Sequence, residues 1–142
     1  MRNAEVSVAE LPTHEHDEVV LNSPSLTVTA AHRGTSTADA RVVRIRGDVD
    51  MMTAPQLHEA LRKQLRGADR AVLDLSDVEF LGTAGVEVLL QLNGQVRLAL
   101  VARRGPALRA LTVTGADEEI AMHATLVDAE LSQSESALPA AP

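Results

Sequence analysis

From residue 26 onward, apolar positions switch repeatedly between two periods. Leu26 to Ala31 and Arg41 to Arg46 read as two strands joined by a polar loop carrying Gly34, Thr35 and Ser36, a spacing that permits an antiparallel pair. Thr53-Ala54-Pro55-Gln56 then opens a helix, with Leu57, Leu61 and Leu65 recurring on one face and Ala60 beside them. Thr53 and Gln56 have capping-box spacing, Pro55 is tolerated in a first turn, and Gly67 ends the helix. Ala71 to Leu75 reads as an apolar strand, followed by a short polar link and a second helix from about Ala84 to Asn93. Val96 to Ala102 is the next strand, and a helix runs from Pro106 to a stop at Gly115. Ile120 to His123 is a short strand, and Thr125-Leu126-Val127-Asp128 caps a final helix. Strands alternating with helices of this length predict an α/β fold, a mixed and mostly parallel sheet with helices in right-handed crossover connections.

Outside this alternation the pattern fades. Residues 1–24 are polar and acidic, are punctuated by Pro12 and Pro24, and read as a flexible N-terminal extension. Residues 132–142, rich in Ser, Ala and Pro, read as a disordered tail, which leaves one domain over residues 25–131.

Composition narrows the function classes. Of the 142 residues, 45% are hydrophobic, enough for a core, but Phe80 is the only aromatic residue, so that core is aliphatic. Base-stacking nucleic-acid modules need aromatic platforms, and a formal net charge of -7 repels a phosphate backbone, so no nucleic-acid partner is expected. With no cysteine, disulfides, thiolate catalysis and Cys-based zinc sites are excluded. No apolar run approaches the roughly 18 residues needed to cross a bilayer, and the acidic N-terminus lacks a signal-peptide core, so the expectation is a cytoplasmic protein with no membrane insertion.

Candidate chemistry concentrates at Phe80-Leu81-Gly82-Thr83-Ala84-Gly85, where a turn after a strand presents one hydroxyl, Thr83, at the start of a helix. That end carries unpaired N–H groups and the positive end of the helix dipole, so Thr83 can cap the helix, and a phosphate there would be stabilised by the same groups. Gly82 and Gly85 either relax backbone angles or keep the turn low enough for close approach by a partner. Asp48 and Asp50 read as turn-forming or helix-entry carboxylates rather than a catalytic pair, since no His or Lys motif accompanies them. His14, His16 and Asp17 form a weak metal-like triplet without a fourth ligand, so no metal is expected. Arg103 and Arg104 read as a solvated loop before a helix, and His32, His58 and His123 as scattered surface or edge residues. No P-loop, dinucleotide fingerprint or nucleophile elbow is present, and neither an enzyme nor a cofactor is expected.

Three stretches in order resemble one family. Asp74-Leu75-Ser76, then Val78, Phe80 and Leu81, a small-residue turn ending in Gly85, and the apolar helix after it resemble the STAS domain of bacterial anti-sigma-factor antagonists. Gly47-Asp48-Val49-Asp50 with Thr53-Ala54 is similar to that family's G-E-L-D followed by T-A. Pro106-Ala107-Leu108-Arg109-Ala110-Leu111 with Thr114-Gly115 is similar to its P-A-V-x-x-L ending in T-G or S-G. The resemblance spans roughly Leu26 to Leu131 and implies the STAS fold over residues 25–131. In its register Thr83 takes the phosphoacceptor position, Gly82 stands where the family has Asp, Ala84 takes the second hydroxyl position, and Gly85 is retained. It further implies a partner-binding face shared by Asp48, Asp50, Thr53, Gly82, Ala84 and Gly85. The partner implied is an anti-sigma factor, often an ATP-dependent serine kinase, whose capture frees a sigma factor and which phosphorylation of Thr83 would release. The alternative is a constitutive STAS scaffold subunit of a signalling or lipid-transport complex without a phosphoswitch. A small-molecule or nucleotide sensor is a third option with no dedicated motif.

Overall fold

The computed structural model describes residues 16–32 and 41–136. Six strands form one sheet in sequence order: β1 (His16–Ser23), β2 (Leu26–His32), β3 (Arg41–Val49), β4 (Arg70–Leu81), β5 (Arg97–Val101) and β6 (Ala121–His123). β1–β2 and β2–β3 pair antiparallel, whereas β3–β4, β4–β5 and β5–β6 pair parallel. Each parallel step is bridged by a helix: α1 (Ala54–Gln64), α2 (Thr83–Asn93) and α3 (Pro106–Val113), the last followed by a short 3₁₀ turn at Ala116–Glu118. A final helix, α4 (Leu126–Ser136), follows β6. The expected mixed α/β architecture is present.

Strand alternation splits the core into two layers. Val28, Val43, Ile45, Leu73, Leu98 and Leu100 face one way and meet Leu57 and Leu61 of α1, Leu89 and Leu92 of α2, and Leu111 of α3. Val42, Val72, Ala99 and Val101 face the other way and meet Ala129 of α4, with Leu126 packed alongside. Of α2, only Thr83, Glu87 and Gln91 are well exposed, because it lies between the sheet and the flanking helices. Apolar contact of this kind contributes about 25 cal/mol per Å² removed from water, and here it is supplied by aliphatic side chains alone. Phe80, the only aromatic residue, is half exposed.

Three expectations about extent are corrected. The segment read as the end of a flexible extension, His16–Ser23, is a strand of the sheet, turned into β2 through Pro24-Ser25. A register irregularity between Val19 and Leu21 lets both Val20 and Leu21 pack on the core, which removes the alternation that would have marked a strand. The polar link after Leu75 is likewise strand, since β4 runs on to Leu81. Register shifts between Arg44 and Arg46, and again between Gly47 and Asp48, insert extra residues into β4. Its buried positions therefore fall at Leu75, Val78 and Leu81, every third residue instead of every second. At the C-terminal side, α4 continues to Ser136, past the expected limit at 131. Residues 1–15 and 137–142 lie outside the described residues.

Helix boundaries follow local chemistry. The Thr125 hydroxyl accepts the Asp128 N–H at 3.1 Å, capping α4 as its sequence predicts. Thr114 closes α3 by donating its hydroxyl to the Ala110 carbonyl at 2.8 Å, and Gly115 follows at φ 81°. The Pro106-to-Gly115 motif thus reads as a start-and-stop pair for α3. The expected Thr53–Gln56 capping box does not form: Thr53 has no side-chain bond to its own helix, because its hydroxyl is used by the preceding loop.

Candidate functional site

At the carboxyl ends of β3 and β4 two loops lie side by side. Pairing continues to Asp48↔Phe80 and Val49↔Leu81, and the Gly82 N–H donates to the Val49 carbonyl at 2.9 Å. The loop after β3 leads into α1, and the turn after β4 leads into α2. Asp48, Asp50, Thr53, Gly82, Thr83, Ala84 and Gly85 are therefore brought to one end of the sheet.

Thr83 is exposed, but it is not the helix cap. Gly82, in extended conformation at φ -89° and ψ 178°, is the N-cap, and Thr83 is the first helical residue. The Gly82 carbonyl accepts the N–H groups of Gly85 and Val86 at 3.0 and 3.1 Å, while no side chain caps the helix. The capping role expected of Thr83 is corrected accordingly: its hydroxyl is one position too late, and it faces solvent where the first-turn N–H groups and the dipole favour an anion.

The two glycines of this turn serve proximity and not unusual backbone angles, as neither has a positive φ. A Cβ on Gly85 would lie 2.6 Å from Val49 Cγ1 and 2.7 Å from Leu81 Cδ1, so α2 can sit on the strand ends only without a side chain there. A Cβ on Gly82 would meet the Phe80 ring at 3.1 Å. Gly47 is different. At φ 108° it adopts a conformation that L side chains resist, and a Cβ would strike the Ser25 carbonyl, beside which the Asp48 N–H donates to that same oxygen at 2.8 Å. Ala84 is half-buried against the core.

Asp50 and Thr53 knit the first loop. The Asp50 carboxylate accepts the backbone N–H groups of Met52 and Thr53, each at 2.9 Å, and the Thr53 hydroxyl accepts the Asp50 N–H and donates to the Asp48 carbonyl, both at 2.9 Å. The Thr53 backbone N–H is the foremost cause holding the Asp50 carboxyl below its ordinary value, with the Met52 N–H acting in the same sense and partial desolvation opposing. Thr53 is itself buried. The turn-forming role of Asp50 is thus visible in its bonds, and Asp48 enters the network through its backbone.

Composition gave no warning of what rims this end. Met51 and Met52, held at the tip of the Asp50–Thr53 turn, are 75% and 77% exposed, and Phe80 is 50% exposed. Three large apolar side chains therefore stand in contact with water on the two loops at this end of the sheet. A methionine pair in a strand-to-helix turn and the lone aromatic at a strand end were the available signals. Acidic groups share the rim: Asp48 and Glu79 on the strands, and Glu87, exposed four residues after Thr83 and so on its face of α2.

Other candidates lie elsewhere. Arg103 and Arg104 are exposed before α3. His14 lies outside the described residues, and among those described no group of His, Cys, Asp and Glu is arranged to hold a metal ion. His123 sits on the edge strand β6 with its Nε2 buried, and His58 is half-buried. A cavity of about 530 Å³ lined by Asn93, Arg97, Glu119 and Gln133 lies at the opposite end of the sheet. No helix among the described residues is long and apolar enough to cross a membrane.

Fold and site define a small α/β module that presents a helix-start hydroxyl on an exposed, partly apolar end of its sheet. The chain belongs to the STAS domain family, whose model matches residues 32–129. It is 35% identical over 111 residues to the anti-sigma-F factor antagonist RsfB of Mycobacterium tuberculosis, covering 74% of this chain and 87% of that protein. Among solved structures it is similar to an anti-sigma factor antagonist from Mycobacterium paratuberculosis, with a TM-score of 0.68 and 30% identity, over 79% of this chain and 97% of that one. The anti-sigma factor antagonist SpoIIAA in its unphosphorylated form shares the fold at a TM-score of 0.56 and 14% identity, over 74% of this chain and 96% of that one.

Proposed function

We propose that this protein is an anti-sigma factor antagonist whose docking face is the end of the sheet around Thr83. The observation that carries the reading is the exposed Thr83 at the start of α2, at the end of the sheet that also exposes Met51, Met52 and Phe80, in a chain whose relatives bear that function in their names. Exposed apolar side chains supply the desolvation that tight association needs, and the low turn at Gly85 permits close approach. The partner is an anti-sigma factor, an ATP-dependent serine kinase in this reading, and its capture frees a sigma factor. The chain itself has no catalytic activity and takes no cofactor.

Phosphorylation of Thr83 would add roughly -1.5 to -2 charge at a helix start, which tolerates it. A packed interface would not tolerate it, and Glu87 on the same helix face adds repulsion. The switch thus acts by charge and desolvation at the surface while the fold stays intact. Incubation with candidate anti-sigma factors and ATP, followed by intact-mass analysis and binding measurements, tests both halves. Phosphate on Thr83 together with lost binding supports the switch.

A second reading rests on Gly82, the cap residue without a carboxylate where the family has Asp. A constitutive scaffold would bind its partner, never acquire phosphate, and ignore Thr83→Glu.

A further inference from the structure

Methionines, four in all, are the only sulfur-bearing residues in this cysteine-free chain, and the three among the described residues differ sharply in setting. Met122 on β6 packs against the main core, whereas Met51 and Met52 project into solvent from the turn that Asp50 and Thr53 lock in place. That turn adjoins the Thr83 turn through the Gly82–Val49 bond. Neither methionine is needed to build the loop by its side chain: the bonds that close it use the Asp50 carboxylate, the Thr53 hydroxyl and backbone groups.

We propose that Met51 and Met52 form a peroxide-sensitive modification site on the docking face, and that their oxidation to sulfoxides releases the anti-sigma factor independently of Thr83. The inference rests on the antagonist reading above. In the reaction a thioether lone pair attacks one oxygen of hydrogen peroxide and the O–O bond breaks. The proton of the transferred oxygen passes to the departing hydroxide, giving water. Sulfur is oxidised by two electrons and the peroxide is reduced by two. The product is a polar, chiral S=O group in place of a flexible apolar one, reversible by methionine sulfoxide reductases. An interface that buried the two thioethers would have to desolvate two strong acceptors without partners. The fold would be indifferent, because both side chains already stand in water.

The experiment uses the full chain, hydrogen peroxide, and the anti-sigma factor that it binds. Peptide mapping after mild treatment should show one added oxygen on each of Met51 and Met52 and an unmodified Met122. The oxidised protein should bind its partner at least about tenfold more weakly, a change of about 1.4 kcal/mol, with an unchanged circular dichroism spectrum. Methionine sulfoxide reductases should restore binding. Met51→Leu/Met52→Leu, which keeps apolar bulk, should bind like the untreated protein and ignore peroxide. Unchanged binding by protein shown to carry both sulfoxides would overturn the proposal, as would equal peroxide sensitivity of the double leucine variant. Failure of the untreated chain to bind any anti-sigma factor would instead overturn the antagonist reading, and this inference with it.

Discussion

Thr83 carries no structural duty that a substitution would forfeit. Its hydroxyl makes no capping bond, and the cap position belongs to Gly82. Thr83→Ala should therefore leave the melting temperature nearly unchanged, where loss of a true cap would cost about 1 kcal/mol. Thr83→Glu should remain folded, since a first-turn carboxylate gains about 0.3–1 kcal/mol from the dipole and loses a few tenths to Glu87. It should nonetheless bind the anti-sigma factor at least about tenfold less tightly. Calorimetric titration of both variants, with circular dichroism as control, checks this; a folded Thr83→Glu that binds like wild type would sink the charge switch. Asp50 is the opposite case, a residue committed to structure. Its folded pKa is depressed, so its stabilising effect is fully present above the ordinary aspartate range and is lost as pH falls through the lowered folded value. Asp50→Asn should melt below wild type at neutral pH, and the gap should close in acid across that window. Thermal scans at a series of pH values measure it. The position of Thr83 at a helix start was readable from the strand–turn–helix pattern, but a hydroxyl at the cap and one at the next residue look alike in sequence. The exposure of Met51 and Met52 was signalled only by their place in a strand-to-helix turn, because apolar residues in a turn point inward or outward according to a chain path that only the fold sets.

At the scale of elements, α2 rests on the ends of β3 and β4 with no spacer at Gly85. Gly85→Ala should destabilise by about 1–3 kcal/mol through overpacking against Val49 and Leu81, measurable by urea unfolding, and should lift the Thr83 turn away from its neighbour loop. The edge strand β1 makes a second prediction. A chain starting at Leu26 loses Val20 and Leu21 from the core and should be less stable than one starting at His16, by denaturant midpoint. Equal midpoints would mean that β1 contributes nothing to the domain. Both ends of the sheet's story were hidden by bulges. Where Val20 and Leu21 both face the core, and where Leu75, Val78 and Leu81 are buried at every third position, a search for period two finds a linker. β2, whose buried positions alternate without a break, was found nearly to the residue, and β3 was found from its start at Arg41.

At the scale of the whole molecule the two faces of the sheet are unequally covered. Three helices lie on one, while α4 lies on the other and is anchored by few large side chains. Gln133 is its innermost polar group, 3% exposed, donating its amide to the carbonyls of Ala71 and Arg97 at 3.2 and 3.3 Å. Gln133→Ala removes both of these hydrogen bonds and should cost about 1–3 kcal/mol. Hydrogen exchange should show α4 loosened before the rest of the domain, and uniform loosening would contradict that order. Docking at the Thr83 end should survive the change, since the anchor lies where β4 and β5 begin and not where β3 and β4 end.

The lone ring at Phe80 has an optical consequence. A chain without tryptophan or tyrosine is dark under near-ultraviolet excitation. In a mixture with a partner that has either, every photon of intrinsic emission comes from the partner, so its quenching curve reports association without a label. A single tryptophan placed at Phe80, half in water at the rim of the docking end, would add a reporter of the other side of the same contact.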